Sequence, residues 1–137
     1  MRRSALFLAV LAAGACSDDL NPNHTPGTLT VTGGNAQTVV TGANAAQPFA
    51  VTLVNKDGSP MAGITISWAV VPTIGGTMAN NATVTDVNGV AKATFEAILP
   101  PGISGVTAGN PVAAGTVTVN ALASGLTAVP LTITVTK

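Results

Sequence analysis

The chain has 137 residues, with 5 Lys and Arg against 5 Asp and Glu, so only 7% of it is charged where a globular domain ordinarily carries about a quarter. Apolar residues reach 47% but aromatics only 3%, with one Trp, three Phe and no Tyr, and 15 Gly and 9 Pro punctuate the rest. One domain is expected at this length. There is no basic excess to neutralise phosphates, which excludes nucleic acid as a partner, and one His, one Cys and five carboxylates leave little for catalysis or metal ligation.

Met1-Arg2-Arg3 is a short cationic start, and an apolar run from Ala5 to Ala13 leads to Gly14-Ala15-Cys16. The pattern predicts a secretory signal-peptide helix over residues 1–15. Its run is well short of the roughly 20 residues a spanning helix needs. Cys16 is the only cysteine, so no internal disulfide is possible, and it stands where the apolar run meets Ser17-Asp18-Asp19. Leu11-Ala12-Ala13-Gly14-Ala15-Cys16 resembles the bacterial lipoprotein box, with Ala13 at the place that most often holds Leu. The resemblance implies acylation of the Cys16 thiol, cleavage before it, and a membrane partner reached through the lipid. It also implies an exported, outer-membrane lipoprotein, Ser17 being compatible with that sorting. An ordinary signal peptide cut near Ala15 is the other reading.

Residues 16–27 read as the lipidated Cys16 and an extended, flexible tether, with two prolines and little to bury. His24 lies in it alone, and no set of Cys and His exists to complete a zinc site.

Residues 28–137 read as one all-β domain, because short stretches alternate apolar with small or polar residues between turn signals. Thr28–Thr32 gives a first strand, continued by Gln37–Thr41 after a Gly33-Gly34-Asn35 break at which an edge strand changes sheets. Phe49, Val51 and Leu53 share a face, as do Ile64, Ile66, Trp68 and Val70 beyond the Asn55–Gly63 turn. Ala82–Thr85 leads through Asp86-Val87-Asn88-Gly89 into Ala91, Ala93, Phe95 and Ala97, with Lys92 and Glu96 on the solvated side. Val117, Val119 and Ala121, then Leu131, Ile133 and Val135, complete the inward set, and Pro130 suits a strand start. The expected core is built on Trp68, Phe49 and Phe95. The 98–114 stretch is the longest without a strand pattern.

Two segments carry a family resemblance. Val54-Asn55-Lys56-Asp57-Gly58-Ser59-Pro60-Met61-Ala62-Gly63-Ile64-Thr65-Ile66-Ser67-Trp68 and Val84-Thr85-Asp86-Val87-Asn88-Gly89-Val90-Ala91-Lys92-Ala93-Thr94-Phe95 resemble the bacterial immunoglobulin-like domain group 1, the Big-1 modules of invasin and intimin. The resemblance implies an immunoglobulin-like β-sandwich of about seven strands. Asp57, Gly58, Pro60, Gly63, Asp86 and Gly89 are its turn residues: the glycines supply left-handed backbone, Pro60 stiffens one turn, and the aspartates accept amides two residues on. The same carboxylates with Asn55 or Asn88 are also thinkable calcium ligands, but calcium takes 6 to 8 oxygens and each turn offers one carboxylate, so no metal or cofactor is expected.

The expected role is a lipid-anchored, non-catalytic envelope protein that displays one module for structural or adhesive contact with an envelope or host surface protein. A carbohydrate- or surface-binding accessory module is the alternative, which would need an exposed aromatic such as Trp68. Enzymatic activity would rest on Asp57, Asp86 or Glu96 alone. Removal of residues 1–15 takes Arg2 and Arg3, leaving three basic and five acidic residues. The mature strand faces are then solvated by hydroxyls rather than charges.

Overall fold

The computed structural model describes residues 25–71, 73–98 and 115–136. The expected signal peptide, Cys16, His24 and nearly all of the 98–114 stretch lie outside the described residues.

The strands follow the period-2 pattern closely. They are β1 (Pro26–Gly33), β2 (Gln37–Val40), β3 (Phe49–Asn55), β4 (Thr65–Val71), β5 (Thr77–Met78), β6 (Ala82–Val84), β7 (Val90–Ala93), β8 (Phe95–Glu96), β9 (Gly115–Ala123) and β10 (Val129–Thr136). Three sheets result, ordered β1-β3-β7, β2-β10-β9-β4-β6 and β5-β8. Among the described residues, taking β1 with β2 and β7 with β8 as split strands leaves seven main strands and the two-residue β5.

The first strand divides where the glycines allow it. β1 pairs antiparallel with β3, Leu29 opposite Leu53, whereas β2 crosses to the other sheet and runs parallel to β10, Val39 opposite Val135. Polar side chains hold the kink. Gln37 Nε2 donates to the carbonyls of Gly34 at 2.6 Å and Gln47 at 2.8 Å, while its Oε1 accepts the Gln47 amide. Asn35 Oδ1 accepts the Thr132 amide at 2.8 Å, and the Ala36 amide donates to the Thr132 carbonyl. Pro130 stands on β10 below the stretch paired with β2, where its missing donor breaks no ladder.

Two boundaries differ from the sequence reading. β1 begins at Pro26, inside the expected tether, since Pro26 registers with Asn55 and a bulge separates it from Thr28. Gly27 makes this approach feasible, for a Cβ there would lie 2.5 Å from the Asn55 carbonyl. The stretch Ala91–Ala97 is also not one strand. It changes partner at Thr94, β7 pairing with β3 and β8 with β5. Phe95 and Ala97 meanwhile bond with Ala45, Gly42 and Ala43.

The core lies between the three- and five-stranded sheets. Phe49, Val51 and Leu53 of β3 meet Ile66, Val119, Leu131 and Ile133 of the opposite sheet, all fully buried. Phe49 and Phe95 pack edge to face with centroids 6.3 Å apart, the arrangement that ring quadrupoles favour. Ala45, Met61 and Met78 add apolar volume at the rim.

Candidate contact surfaces

The two motif turns lie at one end of the sandwich. In the second, Asp86 Oδ1 accepts the amides of Asn88 at 2.9 Å and Val90 at 3.0 Å, and the Gly89 amide returns to the Asp86 carbonyl. Gly89 has φ +73°, and a Cβ on it would collide with the Leu53 carbonyl, which ties this turn to β3. The Leu53 amide donates to the Gly89 carbonyl at 2.8 Å.

In the first turn the acceptor is not the expected residue. Asn55 Oδ1 accepts the Asp57 amide at 3.0 Å and the Ser59 amide at 2.8 Å, while Asp57 itself is exposed and contributes only its amide. The reason is burial: Asn55 closes β3 at 4% exposure, where its carbonyl oxygen is shielded from competing water. Gly58 and Gly63 have φ +84° and +77° with open space around them, and Pro60 bridges to Val54. Thr85 joins the two turns. Its Oγ1 accepts the Ile64 amide at 2.9 Å, its own amide donates to the Ile64 carbonyl, and its carbonyl accepts the Gly63 amide. The sequence reading singled out the Asp beside it and missed this threonine, whose signal is a β-branched hydroxyl at a position the alternation places inward.

Among the described residues no three of His, Cys, Asp and Glu are grouped closely enough to hold a metal ion.

Trp68 is 4% exposed, and its Nε1 donates to Thr83 Oγ1 at 2.8 Å, joining β4 to β6. Phe49 and Phe95 are fully buried. The three described aromatics therefore belong to the core. Beside β4 lies an open depression of about 480 Å³ lined by Trp68, Ala69, Val70, Thr73, Gly76, Thr77, Asn81 and Ile98. None of these residues is charged, so the depression offers shape and a few hydroxyl and amide groups but no acid or base.

The broadest feature is the outer face of the five-stranded sheet. Register aligns its outward residues in rows across the strands: Thr38, Thr134 and Thr116; Thr132, Thr118 and Val71; Pro130, Asn120 and Ala69; Leu122, Ser67 and Ala82. Val40 beside Thr136 and Val84 beside Thr65 complete the two ends. No row contains a charge.

No known family's sequence profile matches the chain, and no curated protein matches it. Solved structures do. The D0-D1 domains of intimin align with a TM-score of 0.51 at 17% identity, over 80% of this chain and 45% of theirs. Domains 4–9 of the surface layer protein SbsC give 0.55 at 18%, over 82% of this chain and 14% of that one. A 282-residue C-terminal fragment of intimin, solved with the intimin-binding domain of the translocated intimin receptor, gives 0.51 at 18%, over 81% and 33%. The chain thus spans less than half the length of each. The likeness establishes an immunoglobulin-like β-sandwich.

Proposed function

We propose that this protein is a lipid-anchored envelope protein whose immunoglobulin-like module makes non-catalytic contacts, structural or adhesive, with another protein at the cell surface. What supports the reading is the sequence pattern that places Cys16 directly after an apolar run of the export-signal type, ten residues ahead of a sandwich whose first strand starts at Pro26. Residues 17–25 reach at most roughly 30 Å when fully extended, so an acylated Cys16 would keep the module within about its own dimensions of the bilayer. No helix among the described residues is long and apolar enough to cross a membrane. Each methylene of an acyl chain contributes about 0.8 kcal/mol, and two or more chains hold a protein stably on a bilayer.

The contact role has support from the fold neighbours. An intimin fragment that matches this fold was solved in complex with the intimin-binding domain of the translocated intimin receptor, and domains 4–9 of a surface layer protein match it too. Fold alone does not assign function. The site chemistry points the same way, since the described carboxylates Asp57, Asp86 and Glu96 are exposed on turns and on β8, not gathered in the depression beside Trp68.

Cell fractionation with palmitate labelling tests the anchor. The wild-type chain should label and sediment with membranes, and Cys16→Ser should do neither. A wild-type protein that is unlabelled and soluble after export would overturn the anchoring, leaving an ordinary cleaved signal peptide.

A further inference from the structure

We propose that the outer face of the β2-β10-β9-β4-β6 sheet is a self-association surface, on which a second copy of this chain pairs face to face about a two-fold axis running close to β9. The charge distribution supports this first. The ionisable side chains among the described residues are Lys56, Asp57, Asp86, Lys92 and Glu96, which sit in the two motif turns and on β7 and β8, off this face. A sheet face turned to water is ordinarily kept soluble and single by Lys and Glu. Among the described residues this one has neither, so covering it desolvates no described ion and leaves none unpaired.

A second copy is the occupant that fits. A two-fold interface matches one patch with itself, and an uncharged patch meets no like charge when it does so. A charged partner would find nothing here to pair with. β9 is the central strand, so an axis along it places Leu122 near Leu122 of the second copy and Thr118 near its Thr118. Exposed apolar side chains are spread over the face: Val84 and Leu122, 59% and 45% exposed, lie towards one end, Val71 in the middle rows and Val40 at the opposite end, both 52%. Between them threonine hydroxyls both donate and accept, and so can bond to their own kind.

Area sets the strength. Five strands about 4.8 Å apart, paired over the length of β9 and β10, present a face of about 500 Å², so two copies bury roughly 1,000 Å² together. That is the lower limit for a specific interface, and it makes the association weak and concentration-dependent.

Sedimentation velocity on the full chain tests this, with Cys16→Ser to prevent both acylation and a disulfide, in nonionic detergent to solvate the N-terminal apolar run. Between about 5 and 500 μM the mass should rise from monomer towards dimer. Thr134→Lys and Leu122→Lys, each placing two like charges in the pair, should raise the dissociation constant at least about tenfold. Thr30→Lys, exposed on β1 of the opposite sheet, should leave it unchanged. Unchanged circular dichroism and Trp68 emission would show that each variant folds, and the wild-type series stands without them. A wild-type chain that stays monomeric, or a dimer indifferent to both lysines on the face, overturns the proposal. So do larger assemblies insensitive to all three substitutions, which would trace association to another segment. Because acylation is absent throughout, the outcome is independent of the proposed anchor.

Discussion

Two glycines at the motif turns separate what backbone conformation demands from what space demands. Gly58 and Gly89 both hold positive φ, but only Gly89 has backbone where a Cβ would go. Left-handed backbone costs a non-glycine residue about 1 kcal/mol. Gly58→Ala should therefore lose about 1 kcal/mol of unfolding free energy, and Gly89→Ala at least twice that, because β3 must shift as well. Urea titration compares them, and equal losses would mean that the Leu53 carbonyl does not lock the turn. The same assay resolves the acceptor in the first turn. Asn55→Ala strands two amides that Oδ1 now accepts, for about 2 kcal/mol. Asp57→Ala should stay within about 0.5 kcal/mol, as for an ordinary surface change. Both residues are legible as turn formers in the sequence. Which one accepts was not, because Asn and Asp compete equally for local amides until tertiary packing buries one of them.

At the scale of the element, β6 is the weak member of the five-stranded sheet. It has three residues and pairs only with β4, so side chains share the work of holding it. The Trp68 Nε1 bond to Thr83 Oγ1 is one such tie, and a backbone bond from the Trp68 amide to the Asn81 carbonyl holds the chain just before the strand. Thr83→Val removes the indole's acceptor while keeping the β-branched shape, and should cost about 1 to 2 kcal/mol. Trp68→Ala, which also empties the core, should cost about 3 to 5 kcal/mol. Native Trp68 emission should be blue-shifted and resist iodide quenching, and a red-shifted, quenchable native spectrum would sink the buried assignment. The strands themselves were legible because alternation is local: Leu29, Val51, Ile66, Val119 and Ile133 all fall inward as their period requires. Partner exchange was not legible. Nothing in the unbroken alternation of Ala91–Ala97 marks Thr94 as the break, and Gln37–Val40 contains no sign that β10 lies parallel to it. Those facts belong to chain segments far away in sequence. Pro26-Gly27 likewise reads as part of the tether until Asn55 is seen beside it.

For the whole molecule, the shortage of charge fixes which forces hold the fold. Apolar contact between the sheets and the backbone ladders do so, and the two buried polar residues, Asn55 and Thr85, are bonded to backbone amides. No buried side-chain nitrogen or oxygen among the described residues lacks a partner. Surface charges contribute through screened Coulomb terms that salt removes over a Debye length of about 10 Å at 0.1 M. With Lys56, Asp57, Asp86, Lys92 and Glu96 spread over turns and β7-β8, those terms have little to act on. Unfolding free energy at low micromolar concentration should therefore change by less than about 0.5 kcal/mol between 0.02 and 0.5 M NaCl. Urea unfolding followed by Trp68 fluorescence at both salts measures it. A loss above about 1 kcal/mol at the higher salt would show that charge holds the fold after all, and would weaken the case that its uncharged face is kept for contact.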